Sequence, residues 1–153
     1  MMDREYLQIA NDIINNEKYQ KLKSEDHHGI TRYEHSMRVA KRTYLVSKRL
    51  KLNYKEATRA ALLHDYFFSD QTTTKNLKGA FRHPIFAYKN ANEMVTLSEK
   101  ENNIIRSHMF PLAKEFPKSK EALIVGCADK SVAFYEFLKF KFKPFKRFRK
   151  NNS

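Results

Sequence analysis

The residues best suited to chemistry in this sequence are histidines and aspartates inside otherwise apolar segments. His64 and Asp65 are adjacent and stand near the end of the small-residue stretch ARAALLHDYFF. Burying such polar groups costs free energy unless a partner offsets the cost. A divalent cation is the natural partner, because imidazole nitrogen and carboxylate oxygen are both good ligands for it. The doublet therefore indicates a metal site.

Four more residues of these types stand far apart in the chain. Asp129 lies in a second apolar segment, ALIVGCADKSVAF, and His35 lies one helical turn before Arg38 in a third segment. His83 and His108 fall between them, which gives the spacing H-x28-H-D-x17-H-x24-H-x20-D. Helices from different parts of a chain contribute ligands to the interior of a bundle. We therefore expect all six side chains to meet there.

Helices are the elements expected to carry these residues. The chain has 153 residues, the size of one compact domain, and its three glycines and four prolines are too few for a turn-rich all-β protein. No repeat and no second composition regime appear. Apolar residues recur at helical spacing in segments 3–22, 32–50, 55–67, 84–96, 99–109 and 118–138. The sequence predicts a single all-α domain.

Capping residues mark three of the helix starts. Thr31 with Glu34, and Ser98 with Glu101, have the spacing of capping boxes. Asn53 is a third N-cap residue, before the segment that carries the His-Asp doublet. These signals predict helices that begin directly after each cap.

Three further expectations concern the second half of the chain. Residues 69–80 are polar and predict an exposed loop. Pro84 fits the first turn of a helix, where its missing N–H does no harm, and so predicts a helix that starts at this proline. Segment 118–138 is apolar almost all round, which predicts a central helix with Cys127 as a small buried side chain.

This pattern resembles the signature of a known family. The H…HD…D signature of HD-domain metal-dependent phosphohydrolases is matched by His35, His64, Asp65 and Asp129. With His83 and His108 the chain is similar to the subset that has H…HD…H…H…D. The short sequences around these residues are also similar to those of the family: H-S-M-R-V-A, A-L-L-H-D, H-P-I-F-A-Y, R-S-H and A-D-K. The resemblance covers residues 30–135 and implies an HD-type helical bundle.

The resemblance also implies a centre with one or two divalent metal ions. In members of the subset, which commonly bind two metals and often iron, a first ion would be held by residues matching His35, His64, Asp65 and Asp129. A second ion would be held by His83 and His108, with Asp65 bridging the two. Iron, manganese, cobalt, nickel and zinc all stay open, because mixed His/Asp sites accept each of them.

The implied activity is hydrolysis of a phosphoester or phosphoanhydride bond in a nucleotide or a related small phosphate ester. Paired divalent ions lower the pKa of a shared water and supply hydroxide near neutral pH. We expect catalytic roles for Asp65, His64 and Lys130. Arg38 and Lys130 are expected to bind substrate, because phosphate oxygens attract cationic donors. The sequence lacks the Gly-Tyr-Pro extension of cyclic-dinucleotide phosphodiesterases and the accessory motifs of alarmone hydrolases, which disfavours those substrates.

The positive net charge of the chain is also compatible with functions other than hydrolysis. Thirty Lys and Arg against 17 Asp and Glu give a net charge of +13, which attracts anions. We predict a helical domain over 1–138 and a basic, Phe-rich tail over 139–153, whose mixed cations and aromatics suit nucleic acid or an anionic membrane surface. One alternative is an RNA-binding or RNA-processing protein. Others are a non-catalytic metal-stabilised scaffold and, because HD architectures also host them, a di-iron oxygenase.

The remaining expectations concern the cellular setting. A single cysteine excludes an internal disulfide and does not suggest an oxidising compartment. The first 20 residues lack the apolar run of a secretory signal, and nowhere do about 18 apolar residues follow one another. We expect a cytoplasmic protein without a membrane span, while the sequence does not indicate its oligomeric state.

Overall fold

Helices dominate the structure, a computed structural model that describes residues 3–72 and 77–142. The expected all-α fold class is confirmed. Within the described residues the chain forms seven α-helices: α1 (Arg4–Ile14), α2 (Glu17–Gln20), α3 (Arg32–Arg49), α4 (Tyr54–Leu63), α5 (Leu77–Met94), α6 (Glu99–Ser107) and α7 (Lys120–Lys141).

A small β-hairpin precedes α3. Its strands, β1 (Asp26–His27) and β2 (Ile30–Thr31), pair in antiparallel register. The two turn residues between them, His28 and Gly29, have φ angles of +51° and +92°. Positive φ at both central residues suits the right-handed twist of a two-residue hairpin. Single 3-10 turns, Lys21–Ser24 and Ser69–Gln71, complete the described secondary structure.

The predicted caps form as expected. Thr31 accepts the backbone N–H of Glu34, whose carboxylate accepts the N–H of Thr31 in return. Ser98 and Glu101 make the same reciprocal pair at the start of α6. Both boxes satisfy backbone donors that a helix start leaves without partners.

Helix α4 lies at the centre of the bundle, with α1, α3, α5, α6 and α7 packed around it. Its fully buried residues include Ala57, Ala60 and Ala61, whose small side chains allow close approach of the neighbouring helices. Asn53 caps its start and donates its backbone N–H to the Glu121 carboxylate of α7 at 2.9 Å. The first residue before α4 is thereby tied to α7.

Two predicted helices end at least four residues earlier than the apolar pattern indicates. Segment 3–22 is broken because Asn16 accepts the N–H of Lys18 and starts α2 as a separate helix. Segment 55–67 is helical only to Leu63, and His64 caps its end. An Asn side chain such as that of Asn16 competes with the helical hydrogen bonds of the backbone. The spacing of apolar residues does not show where such an interruption occurs.

The start of α5 at Pro84 was predicted wrongly. Helix α5 begins at Leu77, so the expected loop over 69–80 contains its first turn, and Pro84 lies inside the helix. An interior proline costs about 3 kcal/mol through its lost hydrogen bond and clash. Pro84, Ala87 and Ala91 are all buried on the same face of α5. The packing of this face against the bundle offsets the cost of the proline. Residues 73–76 lie outside the described residues.

Helix α7 is buried on one face rather than all round. Leu123 and Phe134 are exposed, and so is Cys127, which corrects the expectation of a buried thiol. The helix continues to Lys141, three residues beyond the predicted domain boundary at 138, while residues 143–153 of the predicted tail lie outside the described residues. Among the described helices none has an apolar stretch long enough to cross a membrane.

Candidate metal centre

All six residues of the histidine–aspartate pattern meet in the middle of the bundle. Helices α3, α5 and α7 each contribute one of them from within the helix, and α4 and α6 contribute the others from the residues directly after their last turn. In chain order the six are His35, His64, Asp65, His83, His108 and Asp129. Five are buried and His83 is half-buried.

Two of these histidines are fixed by the helix ends on which they stand. His64 is the C-cap of α4 and donates from Nδ1 to the carbonyl of Ala61 at 2.7 Å. His108 is the C-cap of α6 and donates in the same way to Ile105 at 2.7 Å. The last carbonyls of a helix lack partners within the helix, so these bonds satisfy them. They also direct both Nε2 atoms into the cluster.

Asp65 stands between two groups of imidazoles. Its Oδ2 atom lies 3.6 Å from Nε2 of His64 and 3.9 Å from Nε2 of His35. Its Oδ1 atom lies 3.2 Å from Nε2 of His83 and 3.6 Å from Nε2 of His108. Each oxygen of one carboxylate therefore faces a different half of the cluster.

Asp129 completes the first half. Its Oδ1 atom lies 2.9 Å from Nε2 of His35 and 3.4 Å from Nε2 of His64. The ligand atoms of His35, His64 and Asp129 all lie within 4.8 Å of one another. This half thus has two imidazoles and the Asp129 carboxylate within the range of a single cation, and Oδ2 of Asp65 lies beside both imidazoles.

His83 and His108 form the second half. Their Nε2 atoms are 2.9 Å apart, and the ligand atoms of His64, Asp65 and His108 lie within 4.8 Å of one another. The ring of Phe67 stacks on His83, with centroids 4.9 Å apart. The stacked ring covers one face of the half-buried imidazole.

The cluster stabilises positive charge. Burial alone would lower the pKa of His35, but hydrogen bonds with Asp129 and Glu136 outweigh it and raise the pKa to about 10. For His64, burial is likewise outweighed by the charges of Asp65 and Asp129, which raise its pKa. The pKa of Asp65 lies well below its ordinary value despite burial, because imidazoles surround it.

Burial has the opposite result at His108. It lowers the pKa of this imidazole, since the attraction of the nearby Asp65 carboxylate, 3.6 Å away, does not offset the loss of solvation. A neutral imidazole whose Nδ1 already donates offers a lone pair at Nε2. His108 is therefore well suited to be a metal ligand.

Two buried atoms of the cluster fit a metal ion better than they fit the protein alone. Nε2 of His64 and Oδ1 of Asp65 make no hydrogen bond in the structure, although both are buried. An unsatisfied buried polar atom costs about 1–3 kcal/mol. A divalent cation bound between the imidazoles and carboxylates would satisfy both atoms, so the donor set fits the ion that the sequence predicts.

Glu136 is a part of the site that sequence reasoning missed. Its Oε2 atom lies 2.8 Å from Nδ1 of His35, and its Oε1 atom accepts from Nη1 of Arg38 at 3.1 Å. Glu136 follows Asp129 by seven residues, which is nearly two helical turns, and so shares a face of α7 with it. That spacing was the available signal.

Arg38 and Lys130, the predicted substrate-binding cations, have their hydrogen bonds with Glu136 and with backbone carbonyls, not with the clustered side chains. Arg38 is half-buried and bonded to Glu136. Lys130 donates from Nζ to the backbone carbonyls of His108, at 3.0 Å, and Gly126, at 3.3 Å. The Lys130 ammonium thus contacts the end of α6 rather than a carboxylate of the cluster.

The β-hairpin covers His35. His27 stacks on its imidazole with centroids 4.3 Å apart and an interplanar angle of 30°, and burial lowers the pKa of His27 to about 4. At the turn, the positive φ of Gly29 favours glycine, and a Cβ there would come within 2.7 Å of Cδ2 of Phe140, so this ring would have to move. A cavity of about 290 Å³ beside the hairpin is lined by residues that include His28, Arg38, Glu136, Lys139 and Phe140.

Comparison with known proteins agrees with this arrangement. A protein-family model described as HD domain matches residues 32–133, which extend from the start of α3 into α7 and include all six clustered residues. Searches of curated proteins and of solved structures gave no significant match. The family match covers more than half of the 153 residues, and the chain belongs to the HD domain family.

Proposed function

We propose that the chain is a metal-dependent hydrolase that cleaves a phosphoester or phosphoanhydride bond of a nucleotide or related small phosphate ester. The observation that carries this proposal is the position of the Asp65 carboxylate, because its two oxygens face different groups of imidazoles. A carboxylate in this position is suited to bridge two cations. Membership of the HD domain family supports the same reaction class.

The first metal would be held by the half of the cluster around Asp129, and the second by His83 and His108, with Asp65 shared. Bound divalent ions acidify water and neutralise phosphoryl oxygens, and this is the chemistry that the site would gain from them. Iron, manganese, cobalt, nickel and zinc are all compatible with such a donor set. His64 and Asp65 would contribute to catalysis by fixing the positions of both cations from one helix end.

The cavity beside the hairpin is the proposed place for the rest of the substrate. Its volume of about 290 Å³ suits a small phosphate ester, and Glu136 on its wall is bonded to His35. Arg38 and Lys139 supply positive charge there. A guanidinium has five N–H donors, so the bond from Arg38 to Glu136 uses only part of its capacity. The exposed ring of Phe140 offers a surface for a nucleobase.

The decisive experiment pairs elemental analysis of anaerobically purified protein with a hydrolysis screen of nucleotides and simple phosphate esters. We expect one or two bound metal ions, and turnover that a chelator removes and fresh metal restores. Asp65→Asn, which keeps the shape of the side chain, is the matched control and should lose metal and activity together. A fully metal-loaded wild type that hydrolyses nothing in the screen would refute the proposal and favour the scaffold alternative.

A second candidate function, binding of single-stranded nucleic acid, is favoured by the last turns of α7. The exposed rings of Phe137 and Phe140 alternate there with the exposed Lys139 and Lys141. Aromatic stacking combined with cations that neutralise phosphates is typical of such surfaces. The remainder of the predicted tail adds further cations in the sequence.

Salt dependence separates the two functions. Binding of a labelled oligonucleotide through phosphate contacts should weaken steeply as salt rises, because counterions are released on binding. Phe137→Ser with Lys141→Ser, two residues that do not line the cavity beside the hairpin, should then weaken binding but leave mononucleotide hydrolysis unchanged. Oligonucleotide affinity that the double variant does not alter would contradict a nucleic-acid role for this surface.

A further inference from the structure

We infer that Glu136 is a positioning residue of the metal centre, which holds the His35 imidazole in the orientation that a metal ion at its Nε2 requires. The inference rests on the proposed function, since it assigns His35 to the first metal. It adds to the six-residue pattern a seventh side chain that lies outside it, together with Arg38 as its partner.

The contacts around His35 carry this inference. One carboxylate of α7, Asp129, lies 2.9 Å from Nε2, and a second, Glu136, lies 2.8 Å from Nδ1 of the same ring. His35 is fully buried, and Glu136 is only 7% exposed. Both nitrogens of this imidazole are therefore fixed by one helix, and the Glu136 bond leaves Nε2 directed into the cluster.

Arg38 holds Glu136 in place. It donates to Oε1, so that Oε2 stays directed toward His35, and both His35 and Arg38 stand on α3, one turn apart. A ligating histidine that donates its other N–H to a carboxylate is a more basic ligand with a fixed ring orientation. Glu136, held by Arg38, supplies such a carboxylate to Nδ1 of His35 from outside the six clustered residues.

The test measures Co²⁺ binding to the full chain after chelation, for wild type, Glu136→Gln and Glu136→Ala. Glu101→Gln is the matched control, because Glu101 is equally buried and also accepts from an arginine, Arg59, at 3.2 Å. We expect the Glu136 variants to bind Co²⁺ on the order of 10- to 100-fold more weakly. Their visible Co²⁺ spectra at full loading should also change, while Glu101→Gln resembles wild type in both respects.

Thermal melting of the metal-free variants shows whether each one folds, and the affinity then decides the question. Equal Co²⁺ affinity and spectra in wild type and both Glu136 variants would overturn the inference, as would an equal loss in Glu101→Gln. A wild type that takes up no Co²⁺ would overturn the metal centre and this inference together. A wild type that binds Co²⁺ and other metals but hydrolyses nothing would overturn only the proposed hydrolysis, since the affinities still decide the role of Glu136.

Discussion

Lys130 donates a hydrogen bond from its ammonium to the backbone carbonyl of His108, at 3.0 Å. This bond joins α7, one residue after Asp129, to the end of α6, where His108 enters the cluster. The two halves of the candidate metal centre are thus connected by this hydrogen bond as well as by the Asp65 carboxylate.

The first prediction concerns that bond. Lys130→Met should lower the free energy of unfolding by about 1 kcal/mol, because a charged donor to a helix-end carbonyl is lost. Urea unfolding measures this change. We expect kcat/KM to fall only as far as metal content falls. A large loss of rate at full metal content and unchanged stability would instead support the substrate contact that the sequence alone predicts.

The second prediction concerns the division of the centre into halves. His83→Ala removes a ligand from the second half only, so the chain should retain one metal ion of the two. Asp65→Asn removes the shared carboxylate and should lose both. Elemental analysis of anaerobically purified variants gives the counts. Equal metal content in the two variants would argue against a shared Asp65.

The third prediction concerns the support of α4 by the N-terminal region. The buried Tyr19 hydroxyl donates to the carbonyl of Leu62 at 2.6 Å, two residues before His64. Tyr19→Phe should cost about 1–3 kcal/mol of stability, because this carbonyl at the helix end loses its donor in a buried setting. Tyr135→Phe, at an exposed position of α7, is the control and should leave the urea midpoint nearly unchanged.

The fourth prediction is a pH dependence of stability. Hydrogen bonds from Lys48 and Tyr54 lower the pKa of Glu5 from 4.5 to about 2. A carboxylate with a lowered pKa in the folded state stabilises the fold above its ordinary pKa, and this contribution is lost as pH falls toward 2. The stability difference between wild type and Glu5→Gln should therefore be present at pH 6 and shrink by pH 3.

Urea unfolding at both pH values provides the measurement for Glu5. Glu17→Gln is a suitable control, since Glu17 is an exposed first-turn glutamate of the neighbouring helix α2. A difference between wild type and Glu5→Gln that stays constant from pH 6 to pH 3 would contradict the assigned pKa.

Local signals in the sequence predicted the parts of the fold that depend on near neighbours. Thr31 with Glu34 marked the start of α3 correctly, because both partners of a capping box lie within one turn. Pro84 misled the prediction of α5, since its preference for a first turn is outweighed here by burial against the bundle. Tertiary packing of this kind is not visible in a single segment.

The candidate site divides in the same way. Polar residues in apolar segments indicated the six clustered side chains, because burying them without partners is costly. Glu136 was missed because its partners, His35 and Arg38, lie 101 and 98 positions away in the chain, and no local pattern shows such contacts. The position of the Lys130 ammonium depends on where α6 ends in space, and a sequence spacing does not contain that information.

The length of α4 has a consequence for how this chain tolerates insertions. A hydrogen bond from Asn53 to Glu121 of α7 fixes the start of this ten-residue helix, and His64 and Asp65 follow directly after its last turn. Adding or removing one residue would rotate both side chains by about 100° around the helix axis. A loop can absorb such a change, but an anchored helix passes it on to its far end, so the residue count of α4 matters to both halves of the cluster as much as the identity of the residues themselves.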